Sequence, residues 1–311
     1  MAKKILVFNG VNDSAIKELQ AAGYEVVANA QTSDQDFAPD PDVVGILLMM
    51  FKIDGAVMDR FPNLKVIARH GVGYDNVDLA AAKERGIVVA NTPGANATAV
   101  AETAVALMLM AGRLYDTDKR GITDEKAKAY ASTHPGMQVC NKVVGILGFG
   151  HIGRTVAELL TGFGVEVLAY ARHDKDVPNG RMASLDEIFE KADFVVSTLP
   201  ATEKTTKLVN EAAFKKMKQT AVLVNVGRGP VVDEAALIIA LKAGEIAGAG
   251  LDVVEKEPIS PSNELLSLEN TYVLPHVAGG SREAKKAIAK TAAENILDVL
   301  AGKGTKNQVN E

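Results

Sequence analysis

Short apolar runs rich in β-branched residues alternate with amphipathic segments along nearly the whole chain, and no other feature restricts the fold as strongly. The runs are KKILVF, YEVVA, VVGILLM, LKVIAR and IVVAN in the first third, then VVGILG, VEVLAY, ADFVVST, AVLVNV, GAGLDVV and TYVLP. Segments with helical periodicity, such as 13–22, 77–85 and 233–243, lie between several of them. A strand that is apolar on both sides must be covered on both faces, and intervening helices supply that cover; this is the pattern of parallel βα units rather than hairpins. The expected fold class is α/β, with two doubly wound parallel-sheet domains, and 311 residues suffice to bury two cores.

Between the two series, 97–112 reads as an Ala-, Leu- and Met-rich helix apolar on most of its surface, which implies burial against a partner element or subunit. A charged, loop-like segment follows from 114 to 135. The terminal helix spans roughly 282–301, and GKGTKNQVNE beyond it reads as frayed.

Composition removes several classes of function. A net charge of −5 leaves no basic footprint, so no nucleic-acid partner is expected. Cys140 is alone and cannot form an internal disulfide; it sits just before a strand and reads as structural. The longest apolar run, VVGILLMMF, is far short of the ~20 residues of a membrane span, and MAKKILVFNG holds four apolar residues in a row. The expectation is a cytoplasmic protein with no membrane partner.

The second series opens on VVGILGFGHIG, in which Gly148, Gly150 and Gly153 form G-x-G-x-x-G. Such spacing alone is weak evidence. Here it follows a strand, opens a helix and is followed by another strand, which is the setting of a dinucleotide-binding loop. Gly148 permits the tight turn, Gly150 lets the backbone approach a pyrophosphate, and Gly153 allows close packing of the helix. His151 and Ile152 lie within the loop as candidate cofactor contacts, His151 equally as a solvated side chain.

In an open parallel sheet, ligands bind beyond the carboxyl ends of the strands, so ionisable residues there carry most weight. Arg228 follows AVLVNV, Glu257 follows LDVV and His276 follows TYVLP. An arginine clamps a carboxylate bidentately, a histidine exchanges a proton near neutral pH, and a glutamate beside it stabilises the imidazolium and fixes its tautomer. This set suits reduction of a 2-keto acid, whereas any one of the three alone could equally be a structural ion pair.

From ARHGVGYDNVD through NTPGANATAVAE, GILGFGHIG, NVGRGPVVDEAAL, GLDVVEKEP and LPHVAGG, the chain resembles the D-isomer-specific 2-hydroxyacid dehydrogenases over nearly its whole length. The resemblance implies a flavodoxin-like substrate domain, residues 1–97 plus 283–311, into which a Rossmann cofactor domain, 98–282, is inserted. It implies that Arg228 binds and polarises the substrate, that Glu257 pairs with the histidine and that His276 is the acid/base. Backbone amides near Val72 and Gly73 would hold the substrate carboxylate. Asp252 and the Val226 carbonyl would orient the nicotinamide carboxamide, Pro200 and Thr205 would line the cofactor site, and Gly227, Ala278 and Gly279 would complete it. The helix 97–112 would form a homodimer interface.

By the family's spacing, Ala171 occupies the place of the acid that normally bonds the adenosine 2′-hydroxyl, with Arg172 and His173 next to it. Loss of that acid removes a repulsion and an arginine can bind phosphate, so the cofactor is expected to be NAD(P), leaning to NADP; the alternatives are that Asp174 swings in and restores NAD use, and that Arg172 is simply solvated. Substrates implied are small 2-keto or 2-hydroxy acids: glyoxylate, hydroxypyruvate or 3-phosphoglycerate. Met49, Met50, Phe51 and Lys52 are candidates for the side-chain pocket, with core packing the alternative for the first three. The chain ends at Glu311, so the C-terminal regulatory domain of longer phosphoglycerate dehydrogenases is expected to be absent. No histidine forms a cluster with metal-ligand spacing, so no metal is expected; His134 reads as exposed and His70 as either a border of the substrate loop or a packing residue. A cofactor-sensing, corepressor-like binding protein is the alternative to an enzyme.

Overall fold

The computed structural model describes residues 2–310. It divides into two compact units: residues up to Asn96 together with those from Gly280 onward, and Ala97–Gly279.

The first unit holds five parallel strands, β1 (Lys4–Phe8), β2 (Glu25–Asn29), β3 (Val43–Leu48), β4 (Val66–Arg69) and β5 (Val88–Ala90), in the order β2-β1-β3-β4-β5. Side chains alternate between the sheet's faces with the period of two expected of strands. Ile5, Val7, Leu47, Val66 and Ala68 pack with Ala289, Ala292, Ala293 and Ile296 of the helix Arg282–Leu300. Leu6, Ile46, Leu48, Ile67 and Val89 pack on the opposite side with Phe37, Met58 and Phe61. Each fully buried Leu, Ile or Phe contributes about 1.5–3 kcal/mol, so both faces are needed to hold a sheet this small. Met49 and Phe51 pack against these cores, whereas Met50 is 68% exposed.

The second unit holds β6 (Val143–Leu147), β7 (Glu166–Tyr170), β8 (Gly180–Met182), β9 (Phe194–Ser197), β10 (Val222–Asn225), β11 (Gly248–Leu251) and β12 (Thr271–Val273), all parallel, in the order β12-β11-β10-β9-β6-β7-β8. The chain order reverses between β6 and β9. Two adjacent connections therefore leave the sheet in opposite directions there, and a crevice opens at the strands' carboxyl ends. Both sheets are the doubly wound α/β arrangements expected from the alternation.

The helix Ala97–Arg113 spends its apolar face inside its own unit: Val100, Ala104, Leu107, Met108 and Ala111 are buried with Val144, Ile146, Phe194 and Val196. Its composition is accounted for by that packing. Among the described residues, no helix is long and apolar enough to cross a membrane.

Four expectations need correction. Segment 114–135 is not a loop but carries the helices Tyr115–Arg120 and Glu125–Thr133. The second starts where the Asp124 carboxylate accepts the N–H groups of Lys126 and Ala127; the first is braced by Arg120, which bonds Asp116 at 3.0 Å and Glu269 at 2.6 Å. Strand β8 was not expected because Gly180-Arg181-Met182 has no β-branched residue; it pairs only with β7, and glycine lets it lie close, since a Cβ on Gly180 would meet the Val167 carbonyl oxygen at 1.9 Å. The tail after Gly304 is tied rather than frayed: Val309 N–H donates to Val89 O at 2.9 Å, and Asn310, only 8% exposed, accepts from Val89 N–H and donates to Ile87 O. Cys140, read as structural, is exposed.

Candidate active site

In the first unit, β4 ends at Arg69 and the chain turns through the loop 71–76. Three successive carbonyls of that loop are held by the body of the unit. Gly71 O accepts from Thr92 N–H at 3.1 Å, Val72 O from Asn91 Nδ2 at 2.8 Å, and Gly73 O from Arg69 Nε at 2.9 Å. In a trans peptide the N–H points opposite to its C=O, so the N–H groups of Val72, Gly73 and Tyr74 face away from these partners. None of the three donates to an acceptor among the described residues. Successive N–H groups without an acceptor can attract an anion, and these lie on the residues expected to hold a carboxylate.

Arg69 is 7% exposed and also donates to Leu48 O and Met49 O, so its charge is met by carbonyl dipoles and it clips the loop to the end of β3. His70 packs edge-on against Phe8, with ring centres 4.8 Å apart. Burial, with the Arg69 cation second, pushes its pKa down to about 4, so the ring is a neutral packing residue. The unfolded chain binds that proton near 6.5 and the folded chain does not until about 4, so stability falls as pH drops through this window. At pH 5 the loss attributable to His70 is about 2 kcal/mol. Urea midpoints at pH 7 and pH 5 should therefore separate less in His70→Leu than in the unsubstituted chain; equal separations would contradict the assignment.

In the second unit, β6 delivers the glycine loop. Gly148 has φ +94°, a conformation costly for other residues. A Cβ on Gly153 would lie 2.2 Å from Gly148 O, so glycine is what lets the helix His151–Leu159 start against the turn. No side chain caps that helix, and the space where a Gly150 Cβ would project is open, so its first N–H groups have no side-chain acceptor at the cap. Thr198 Oγ1 donates to Gly148 O at 2.6 Å and Lys175 Nζ to Phe149 O at 2.7 Å, fixing the loop from two sides. His151 is exposed, and Ile152 packs partly against the core. Past β7, Ala171 is half-buried while Arg172, His173 and Asp174 are exposed. After β9, Thr205 Oγ1 donates to Pro200 O at 2.6 Å and closes the 200–205 loop.

Arg228, Glu257 and His276 follow β10, β11 and β12, three neighbouring parallel strands, and so emerge at one edge of one sheet. His276 Nδ1 lies 2.7 Å from Glu257 Oε2. A carboxylate can only accept, so Nδ1 carries the proton of the neutral ring and Nε2 is the nitrogen left for other chemistry. His276 has φ +55°, unusual for a non-glycine residue, and its conformation is held by Asp252. The buried Asp252 accepts the His276 N–H on its carbonyl at 2.9 Å and the Val277 and Ala278 N–H groups on its carboxylate at 2.8–3.1 Å. Asp252 thus organises the histidine loop, a role the sequence did not disclose. Ala278 is buried and Gly279 half-buried beside it.

Asn225, 1% exposed at the end of β10, accepts from Gly227 N–H at 3.1 Å and donates to Arg228 O at 3.0 Å, which sets the turn carrying the arginine; Val226 N–H is tied to Ser197 O. The residues missed by sequence reasoning, Arg69, Asn91, Lys175 and Asn225, share one signal where there was one: a polar side chain at the carboxyl end of an otherwise apolar strand. Among the described residues, no group of three or more His, Cys, Asp or Glu side chains could hold a metal ion.

Residues 105–278 match the family model "D-isomer specific 2-hydroxyacid dehydrogenase, NAD binding domain". The chain is 42% identical to the glyoxylate reductase of Thermofilum pendens over 86% of its length and 80% of the relative's. It is 37% identical to glyoxylate/hydroxypyruvate reductase B of Shigella dysenteriae over 100% of its length and 98% of the relative's. Among solved structures, the NADPH-dependent glyoxylate/hydroxypyruvate reductase of Sinorhizobium meliloti, in complex with NADP and malonate, superposes with a TM-score of 0.83 at 34% identity, covering 99% of this chain and 97% of that one. The chain, with its two parallel sheets, glycine loop and His–Glu pair, belongs to the D-isomer-specific 2-hydroxyacid dehydrogenases.

Proposed function

We propose that the protein reduces glyoxylate or hydroxypyruvate, ahead of 3-phosphoglycerate, to the corresponding 2-hydroxy acid with NADPH. The observation that carries this reading is the His276 imidazole held at 2.7 Å on Glu257 at the carboxyl edge of a dinucleotide-type sheet. The names of the relatives favour the two smaller keto acids.

The residues present fit a dinucleotide: the uncapped helix at His151 and the open side of Gly150 suit a pyrophosphate, and Ile152, Pro200, Thr205, Val226, Gly227, Ala278 and Gly279 would complete its surroundings. Bound there, the cofactor supplies a hydride. The amides of Val72 and Gly73 receive the substrate carboxylate. The Arg228 guanidinium holds and polarises the keto oxygen, lowering the cost of the negative charge that develops on it. His276 gives its Nε2 proton to that oxygen, and the Glu257 carboxylate, 2.7 Å from Nδ1, orients the ring. The reading includes a homodimer in which the helix 97–112 takes part; since its apolar face is spent inside its own unit, the exposed Tyr115 and Ile122 just beyond it would supply the apolar contact.

The preference for NADPH rests on Ala171, where no carboxylate repels a 2′-phosphate, with Arg172 and His173 exposed beside it. The kcat/KM for NADPH with glyoxylate is expected to exceed that for NADH by about tenfold or more, and Ala171→Asp with Arg172→Ser should reverse the ratio. A higher kcat/KM with NADH in the unsubstituted protein would remove the NADPH assignment.

A further inference from the structure

We propose that the C-terminal tail, residues 305–310, is a positioning segment for the carboxylate-binding loop and sets keto-acid affinity through a chain of buried amides. The inference deepens the reading above and rests on the assignment of the Val72 and Gly73 amides to the substrate carboxylate.

Strand β5 is at the edge of its sheet and only three residues long. An edge strand presents unpaired N–H and C=O groups, and here the tail takes them up. Gln308 bridges Ala90 in antiparallel fashion, and Val309 and Asn310 bond to Val89. The next residue along β5 is Asn91, 8% exposed, and its backbone is held at both polar atoms: its N–H donates to Asn307 O at 3.1 Å and its C=O accepts from Asn295 Nδ2 at 2.8 Å. Asn295, on the terminal helix and 3% exposed, is itself fixed from the tail, because its Oδ1 accepts from Thr305 Oγ1 at 2.7 Å and from Asn307 Nδ2 at 2.9 Å. Asn91 then spends its own Nδ2 on Val72 O at 2.8 Å.

The chain of bonds runs tail, Asn295, Asn91, Val72, and its last member fixes the plane of the peptide whose N–H belongs to Gly73. If Asn91 rotates, that peptide is free to turn and the amide no longer points at the carboxylate. Covering an edge strand would need only the backbone pairing of 308 and 309. Three asparagine side chains bonded in series toward the loop exceed that need, and a buried amide left unpaired is costly enough to keep the series intact.

The test is Asn295→Ala, which breaks three of these bonds, with the half-exposed Asn307→Ala as the milder variant should the first fold poorly. Two quantities are read: steady-state kinetics with glyoxylate and NADPH, and hydrogen exchange of the peptide covering residues 70–77. Losing one or two net hydrogen bonds from the support should raise the KM for glyoxylate by about three- to tenfold. The kcat at saturating glyoxylate and the KM for NADPH should stay within about twofold, and exchange in 70–77 should rise. Faster exchange with an unchanged KM would overturn the proposal by showing that the loop does not receive the carboxylate. Unchanged exchange and unchanged KM, with glyoxylate still reduced, would overturn the link to the tail and leave the functional reading intact. A parallel fall in kcat and NADPH binding would assign both asparagines to general stability and overturn the positioning role.

Discussion

His276→Ala is expected to lower kcat for keto-acid reduction by about a thousandfold, within the range that a positioned general acid supplies. The expectation follows from four bonds. Glu257 accepts a hydrogen bond from Nδ1–H, which leaves Nε2 as the nitrogen available to a substrate oxygen, and the Asp252 carbonyl holds the His276 N–H while its carboxylate holds the next two. No neighbouring residue on that loop can replace the imidazole, since Pro275, Val277 and Ala278 carry no titratable group. Glu257→Gln keeps an oxygen that can accept from Nδ1 but removes the negative charge, and should cost about ten- to a hundredfold. Single-turnover rates at saturating NADPH separate these losses from cofactor binding. A His276→Ala rate within tenfold of the unsubstituted chain would remove the histidine from its role.

Arg228→Lys should lower kcat/KM by about a hundredfold or more although the charge is kept. The turn that carries Arg228 is rigid: Asn225 bonds both Gly227 and Arg228, and a Cβ on Gly229 would lie 1.7 Å from Val254 O. The backbone therefore cannot move to bring a shorter ammonium into reach. An ammonium also lacks the planar fork that addresses two oxygens at once. Addition of guanidinium to the lysine variant should restore little, because alanine rather than lysine leaves room for it; Arg228→Ala is the variant to rescue. Near-normal kcat/KM in Arg228→Lys would contradict the assignment.

Both sheets were legible because every strand but β8 is a largely apolar run with punctuation on either side, and the glycine loop was legible because strand, loop, helix and strand stand in one unbroken stretch. Arg228, Glu257 and His276 stand out as candidates because each lies a few residues beyond such a strand. What the sequence hid is of two kinds. Strand β8 and the helices Tyr115–Arg120 and Glu125–Thr133 are short and polar, and are held by a glycine contact, a cap and ion pairs rather than by an apolar face. Of the supporting amides, Asn91 and Asn225 were marked only by their place at a strand's carboxyl end, and Asn295 and Asn310 were invisible because a polar side chain in sequence carries no sign of whether it will end in water or buried against a backbone group. The tail read as frayed for that reason, although Asn310 is buried and Asn307 half-buried.

The central claim, that this chain transfers a hydride to a 2-keto acid with the stereochemistry of its family, is tested most directly by incubating the purified protein with hydroxypyruvate and NADPH and resolving the glycerate formed. The account predicts one glycerate per nicotinamide oxidised, all of it the D enantiomer, and almost none with His276→Ala. L-glycerate, or tight NADPH binding with no turnover of hydroxypyruvate or glyoxylate, would contradict it.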